Sequence, residues 1–317
     1  MDESPAALAA RWGRVPAHVE RLTSEADETY RVTFDDAGRA ILKIAVAGTD
    51  AGDLDFEAAL VEAALAEDPS LPLARTVATP LGETRVRTRD RWARVVECLP
   101  GEDAGATNID LMFVRTIGRT AGRLSRALTG FRHPADHRTV EWDLRRAPAL
   151  RGRLGRIDDP ALRAVLEGVL DDLESALPGL AGLPAQVVHN DLNGGNVLID
   201  EGLVMGIVDF GDAVFAPRVC DVGIALSYTL GYTAESQAWA APAAFLAGYR
   251  EVVDLTADEL AVLPLLARAR AAQRVLMSVG DEASIAPVGG RDDAARMRRA
   301  ADDLTRLMAG DERGITA

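Results

Sequence analysis

Two short β-prone runs, separated by a turn and flanked by polar side chains, constrain this sequence more than any other feature. Residues 197–199 and 206–208 are the two runs, and Glu201-Gly202 lies between them. This pattern predicts a tight β-hairpin. Antiparallel pairing brings the start of the first strand beside the end of the second. Asn196 and Asp209, thirteen residues apart, are therefore expected to be neighbours in space.

The polar groups at this end of the hairpin suit a hard cation such as Mg²⁺, which takes few protein ligands and shares phosphate oxygens. Asp191 lies five residues before Asn196, within reach of a hydroxyl near such a metal. The spacing His-x-Asp, four residues, Asn, then Asp209-Phe210-Gly211 is that of a phosphoryl-transfer site. We expect Asp191 to orient the acceptor hydroxyl and take its proton, and Asn196 and Asp209 to bind Mg²⁺.

Phosphoryl transfer also needs a cation that holds the non-transferred phosphates, and the sequence has one lysine, Lys43, among 35 basic residues. A lysine kept in an arginine-rich chain suggests a position that needs a compact ammonium. Lys43 lies on the second strand of a predicted hairpin, residues 30–44, and a predicted helix, residues 53–67, follows it. We expect Lys43 to contact the phosphates and to pair with Glu57 on this helix, with Glu62 as the alternative partner.

The predicted elements divide the chain into two parts. Residues 1–100 are rich in strands and contain one helix, which predicts a small nucleotide-binding lobe. Residues 101–317 are mainly helical and contain the catalytic loop, the hairpin and the expected substrate site. The boundary is placed at Pro100-Gly101, where a strand breaks. The fold class predicted is α+β, with two lobes.

Net charge and cysteine content restrict the partners and the compartment. The net charge of −14 argues against nucleic acid as a partner, because phosphate binding needs a basic face. It is compatible with a cationic substrate. No apolar run is long enough to span a membrane, and the first residues lack the pattern of a signal peptide. Cys98 and Cys220 lie in apolar settings typical of reduced thiols, so we expect a cytoplasmic protein.

Several segments resemble the aminoglycoside phosphotransferase family, which has the two-lobed protein-kinase-like fold. Within that family the chain is most similar to the hydroxylysine kinase group, over about residues 22–306. The segments that carry the resemblance are residues 130–134, 142–144, 189–193, 208–212 and 219–222. Many relatives have Gly at the position of Asn190 and His-Pro at that of Asn193-Gly194, whereas the hydroxylysine kinase group tolerates the residues found here.

The resemblance implies roles for the nucleotide-binding residues. Lys43 is expected to contact the α- and β-phosphates of ATP or GTP, and the backbone from Glu97 to Leu99 to bind the purine edge. The loop of residues 23–28 is expected to fold over the nucleotide. Ser24 would then contact phosphate. The acidic side chains of this loop are expected to point outward, because beside phosphates they would be repulsive.

Residues near the expected acceptor site are harder to assign. Asp212 is expected to contact an amine of the substrate, and Trp142 either lines the substrate site or braces the larger lobe. Asp221 is expected to accept hydrogen bonds from the backbone of the catalytic loop. The arginines at 268, 270 and 274 recur on one predicted helix. They are expected to be solvated charges or partners of local acids, and the alternative is that one of them meets a substrate carboxylate.

Together these features predict an enzyme that uses ATP or GTP with Mg²⁺ to phosphorylate a hydroxyl of a small amine-bearing metabolite, such as a hydroxylated amino acid. An alternative is an antibiotic phosphotransferase acting on an aminoglycoside or a basic peptide antibiotic. A third hypothesis is that the chain is a nucleotide-binding pseudokinase. This is disfavoured by the presence of Lys43, Asp191, Asn196 and Asp209. A protein kinase is disfavoured because no Ala-Pro-Glu motif follows Asp-Phe-Gly.

Overall fold

The computed structural model describes residues 4–24, 27–234, 236–279, 293–312 and 315. Strands dominate its N-terminal part and helices its C-terminal part, as the sequence predicts. The elements of the N-terminal part are α1 Pro5–Ala9, β1 Pro16–Leu22, β2 Glu28–Phe34, β3 Arg39–Ile44, α2 Ala51–Glu67, β4 Thr76–Val77, β5 Val86–Arg87 and β6 Trp92–Glu97.

One antiparallel sheet organises the N-terminal part, with the strand order β1-β2-β3-β6-β4 and β5 paired to β6. The predicted hairpin is β2 and β3, whose register places Thr29 opposite Lys43. On its other side β3 pairs with β6, and Lys43 faces Arg94. Partners in an antiparallel pair lie on the same face of the sheet. Lys43 and Arg94 are therefore adjacent cations on one face.

The C-terminal part consists of helices around two small sheets. Its elements are β7 Glu102–Asp103, α3 Leu111–Ala127, α4 Pro160–Leu180, β8 Ala185–Val188, β9 Val197–Asp200, β10 Leu203–Ile207, β11 Val214–Pro217, α5 Arg218–Thr229, α6 Ala240–Arg250, α7 Ala257–Ser278 and α8 Asp293–Ala309. The predicted tight hairpin is β9 and β10, in which Ile207 pairs with Val197. Strand β7 pairs with β9 and so attaches the segment after β6 to this hairpin.

Two main hydrophobic cores hold these elements. The smaller one lies between α1 and one face of the large sheet and contains Trp12, Phe34 and Leu42. The larger one fills the helical part, and it also contains Phe56 and Leu60 of α2. Helix α2 therefore packs on the helical part, although the sequence boundary near residue 100 assigns it to the N-terminal lobe. That boundary stays a prediction.

Among the helices that the structure describes, none combines the length and the apolar character needed to cross a membrane.

Candidate active site

The backbone of the catalytic loop, residues 189–196, is held by a buried carboxylate. Asp221 of α5 accepts hydrogen bonds from the amides of His189 at 3.3 Å and Asn190 at 2.8 Å. Burial raises the pKa of Asp221, although these two amides and His189 oppose the shift. The expected contact of Asp221 with the loop backbone is confirmed.

The side chain of His189 braces the same loop. Its Nδ1 accepts the amide of Asp191 at 3.3 Å, which leaves the proton on Nε2, 3.0 Å from the carbonyl of Val208. The imidazole packs against the ring of Phe210, with centroids 4.7 Å apart. His189 thus joins the loop to the Asp-Phe-Gly turn, and we assign it a structural role.

Asn196 and Asp209 meet at the open end of the hairpin, as strand pairing predicts. The amide of Val208 donates to the carbonyl of Asn196 at 3.0 Å. The Nδ2 of Asn196 donates to the carbonyl of Asp191 at 2.8 Å, which leaves its Oδ1 as the atom able to ligate a cation. Asp209 has a left-handed backbone, with φ of 65°.

Both carboxylate oxygens of Asp191 accept hydrogen bonds. Oδ2 accepts from Asn193 at 2.7 Å and from Asn196 at 3.0 Å. Oδ1 accepts from the guanidinium of Arg270 at 2.6 Å. A carboxylate held from both ends is confined to one orientation, which suits a group that must align a hydroxyl.

Lys43 reaches across from the large sheet to the hairpin. Its Nζ lies 2.7 Å from Oδ1 of Asp209, and its side chain is largely buried. Lys43 holds the pKa of Asp209 well below its ordinary value, against the opposing effect of burial. Burial lowers the pKa of Lys43, but the charges of Asp209, Glu57 and Asp27 together outweigh it, so the net shift of the pKa is upward. This pair places the lysine ammonium and one proposed metal ligand in contact.

The predicted ion pair between Lys43 and Glu57 is wrong in this structure. Glu57 instead pairs with Arg94 at 2.7 Å. Because Arg94 stands beside Lys43 on the neighbouring strand, its longer side chain reaches α2, while Lys43 turns toward Asp209. The alternative partner, Glu62, is also not used, since it pairs with Arg75.

The acidic loop before β2 is organised differently from the expectation. Glu25 and Ala26 lie outside the described residues. Asp27 points inward and lies 3.5 Å from the buried Arg94, which corrects the prediction of an outward carboxylate. The hydroxyl of Ser24 donates to the carbonyl of Asp27. Ser24 therefore stabilises its own loop, and a contact with phosphate stays a prediction.

Glu97 and Leu99 lie where the large sheet meets the helical part. The amide of Glu97 donates to the carbonyl of Arg75 at 2.9 Å, so this donor is used within the sheet. Leu99 lies close to Gly206 of β10, where a Cβ on the glycine would approach its side chain to 3.1 Å. Glu97 and Leu99 thus border the space between the large sheet and the β9-β10 hairpin. The contact of their backbone with a purine stays a prediction.

Arg138 fixes the turn that follows Asp209. It donates to the carbonyls of Gly211 at 2.7 Å and Ala213 at 2.9 Å. Burial raises the pKa of Asp212, in the same turn, to about 7, and the nearby charge of Asp191 adds to the shift. A partly neutral Asp212 is a weaker binder of an amine than a fully ionised carboxylate, and its substrate role stays a prediction.

A cavity of about 200 Å³ opens beside Asp191. Its lining includes Trp142, Asp191, Asn193, Tyr228, Ser278, Arg274, Arg296 and Arg299. Trp142 both lines this cavity and packs on the guanidinium of Arg270, 4.6 Å from its ring, so the two roles considered for it are not exclusive. Asp212 is not among the lining residues, whereas three arginines are.

Sequence reasoning missed three arginines of the site: Arg94 and Arg270, which are buried, and Arg138, which is partly buried. For Arg270, solvation was the expectation, yet its side chain is fully buried. A signal existed, because Arg270 continues the apolar stripe of Leu263, Leu266 and Ala267 on α7. A charge at a stripe position predicts a buried partner.

Within the part of the chain that the structure describes, no three His, Cys, Asp or Glu side chains form a group able to hold a metal. Asn196 and Asp209, neighbours at the end of the hairpin, offer one amide and one carboxylate oxygen. Mg²⁺ accepts such a small oxygen set when phosphates and water complete its shell. The donor set therefore fits Mg²⁺ bound together with a nucleotide.

Residues 18–257 match the model of a family described as the phosphotransferase enzyme family, APH. The chain belongs to this family. The predicted two-lobed kinase-like fold is also confirmed by an amicoumacin kinase solved with AMP-PNP and Ca²⁺. The two structures superpose with a TM-score of 0.72 at 17% identity, over 98% of this chain and 96% of the other.

Curated relatives are similar over part of their length. A hydroxylysine kinase of Mus musculus is 31% identical over 199 residues, covering 58% of this chain and 52% of the relative. A homoserine kinase of Gluconobacter oxydans is 30% identical over 217 residues, covering 66% of this chain and 67% of the relative. The chain spans about half the length of the hydroxylysine kinase that it matches.

Proposed function

We propose that this chain transfers the terminal phosphoryl group of ATP or GTP to a hydroxyl of a small hydroxylated amino acid. Asp191 orients the hydroxyl and accepts its proton. Lys43 contacts the α- and β-phosphates, Glu57 supports the cations beside them, and Ser24, Glu97 and Leu99 border the nucleotide. Asn196 and Asp209 hold Mg²⁺, which neutralises phosphate charge when bound.

The observation that carries the acceptor class is the cavity beside Asp191. It is small compared with the roughly 300–1,000 Å³ of sites for drug-sized ligands, which favours an acceptor of amino-acid size. Arg274, Arg296 and Arg299 line it, and guanidinium groups match carboxylates in charge and geometry. A hydroxyl at Asp191 and a carboxylate at the arginines describe a hydroxy acid or hydroxylated amino acid.

The same cavity disfavours a polycationic antibiotic as acceptor. An aminoglycoside would bring several positive charges toward the three arginines, and like charges repel. The amine of an amino acid remains compatible, because the carboxylate of Asp191 also lines the cavity. The names of the relatives, hydroxylysine kinase and homoserine kinase, agree with this acceptor class.

The proposal is tested by measuring release of nucleoside diphosphate with Mg²⁺, ATP or GTP and a panel of acceptors. Homoserine and hydroxylysine are compared with 1-amino-2-propanol, which has a hydroxyl and an amine but no carboxylate. We expect kcat/KM to be about 100-fold higher for the best amino acid, because its carboxylate gains charge-assisted hydrogen bonds to the cavity arginines that 1-amino-2-propanol cannot make.

The assignment of Asp191 is tested in the same assay. Asp191→Asn should lower kcat at least about 1,000-fold while AMP-PNP binding, measured by calorimetry, changes little. Full activity of this variant would reject the proposed role. Preference for 1-amino-2-propanol, or activity restricted to aminoglycosides, would reject the acceptor class.

A further inference from the structure

Arg270 is a buried cation that contacts the active site. It lies in the middle of α7, its side chain is fully buried, and it is one of the largest such side chains. A buried guanidinium is costly unless a charge and hydrogen bonds compensate it. Among the described residues, the carboxylate in ion-pair contact with Arg270 is Asp191, at 2.6 Å.

The guanidinium is held in place by groups other than Asp191. Its Nη1 donates to the carbonyl of Trp142 and to Oε1 of Gln273, both at 3.0 Å. The rings of Trp142 and Tyr228 lie 4.6 and 5.6 Å from its central carbon. Nη2 is thereby presented to Asp191 in a fixed direction.

Neighbouring arginines on α7 do not serve the active-site carboxylate in this way. Arg268 pairs with Glu312 and donates to the carbonyl of Leu307, at the α8 side of the helix. Arg274 pairs with Asp303 of α8 at 2.9 Å. Arg270 differs from both because its ion pair is made with the catalytic loop.

The charge of Arg270 also affects the carboxylates around it. Asp191, Asp209 and Asp212 lie in one region, where a bound nucleoside triphosphate would add further negative charge. The positive charge of Arg270 interacts with the negative charges of both Asp191 and Asp212. A fixed positive charge at this place offsets part of the repulsion between these carboxylates, so that Asp191 can keep its orientation.

We propose that Arg270 is a positioning residue for phosphoryl transfer: it holds the Asp191 carboxylate from one side, while Asn193 and Asn196 hold it from the other. This inference rests on the proposed role of Asp191. It requires that Arg270 affect the transfer step rather than nucleotide binding, and that its effect pass through Asp191.

The test compares Arg270→Lys and Arg270→Met with the parent protein, using homoserine and hydroxylysine as acceptors. Slow hydrolysis of Mg·ATP without an acceptor serves as a readout that does not depend on the acceptor's identity. Because a misplacement of about 1 Å can cost about 100-fold, we expect kcat to fall about 100-fold in Arg270→Met. The Kd of AMP-PNP should stay within about twofold. Arg268→Met, on the same helix and away from the cavity, is the matched control and should retain the parental kcat.

A double-mutant cycle separates positioning from general damage. In an Asp191→Asn background, Arg270→Met should lower the residual rate less than about twofold, because its target is already lost. Guanidinium chloride at millimolar concentration should restore part of the rate to Arg270→Ala and leave the rate of Arg268→Met unchanged. Arg270→Lys keeps charge and bulk, and so it tests the idea even if the Met variant does not fold.

The outcomes are distinguishable. If Asp191→Asn loses little activity, the proposed function fails. If Asp191→Asn is inactive while folded Arg270 variants keep the parental kcat, the inference about Arg270 fails alone. An equal loss from Arg270→Met with and without Asp191 would also overturn it.

Discussion

Single backbone conformations shape the catalytic loop at the scale of the residue. Asn190 has φ of 65°, in the left-handed region, and its amide donates to Asp221. Its side chain is completely buried, and neither Oδ1 nor Nδ2 has a hydrogen-bond partner in the structure. Asparagine tolerates this backbone better than most residues, but glycine adopts it without steric cost.

Substitutions at Asn190 should reveal this backbone requirement. Asn190→Gly and Asn190→Ala both remove the buried amide, and they differ by one Cβ at a left-handed position. We expect the Gly variant to be more stable than the Ala variant by about 1 kcal/mol, because left-handed backbone costs an L-residue about that much. Urea unfolding of the two variants measures the difference. Equal stabilities would mean that the loop relaxes to another backbone when the amide is removed.

Residue contacts were predictable where sequence separation is short. Asn196 and Asp209 belong to one hairpin, so the pairing rule alone brings them together. The predicted pair of Lys43 and Glu57 does not form, because Arg94, 51 residues after Lys43 and beside it in the sheet, binds Glu57 instead. The contact of Arg270 with Asp191 spans 79 residues and depends on how α7 packs, which no local pattern encodes.

Helix α7, which carries Arg270, is anchored by a buried charge at its first turn. Thr256 and Glu259 form a capping box, in which each side chain binds the other's backbone amide. Glu259 is fully buried and also accepts from Arg218 of α5 at 2.7 and 3.0 Å. Burial raises the pKa of Glu259, but the hydrogen bonds from Arg218 and Thr256 outweigh it, so the net shift is downward.

This shift predicts how stability depends on pH. A carboxyl whose pKa is lowered by folding stabilises the protein above its ordinary value of 4.5 and loses that contribution as the pH falls through the folded pKa. Glu259→Gln should therefore cost about 2 kcal/mol of unfolding free energy at pH 7, and less as the pH falls below 4.5.

The measurement is urea unfolding of both proteins between pH 7 and the acid limit of folding. Glu67→Gln, at an exposed glutamate near the end of α2, is the control and should change stability little at any pH. A cost of Glu259→Gln that stays constant through the acid range would show that charge at this position contributes nothing to stability.

Elements whose patterns are local were predicted closely. The hairpins β2-β3 and β9-β10 form where alternation and turn residues place them, and helix α2 starts two residues before its predicted start. Their packing was less predictable. Helix α2 follows the sheet strands in sequence, yet its buried side chains join the core of the helical part. Amphipathic pattern indicates that a face is buried and does not identify the surface that covers it.

At the scale of the whole molecule, the buried side chains form two separate main cores, and the contact of Lys43 with Asp209 joins the sheet to the helical part. Phe34 of β2 belongs to the core beneath the sheet. Phe56 of α2 belongs to the larger core, where its ring lies 6.3 Å from that of Phe131 and 5.4 Å from that of His133. Arg138, which holds the Asp-Phe-Gly turn, lies 5.1 Å from the Phe56 ring. Helix α2 thus connects the sheet to the helical part.

The same substitution in each core should separate their roles. Phe34→Ala and Phe56→Ala both remove a buried ring, and each should cost about 3–5 kcal/mol. Hydrogen exchange followed by mass spectrometry should then differ between them. Phe34→Ala should raise exchange mainly in α1, β1, β2 and β3, because its core lies between α1 and the sheet. Phe56→Ala should raise exchange in α2, in α3 and around residues 209–213, because the ring belongs to the larger core and lies beside Arg138, which holds that turn. If Phe56→Ala raised exchange in the sheet alone, α2 would unfold together with the N-terminal part. The predicted boundary near residue 100 would then separate the folding units, although α2 packs on the helical part.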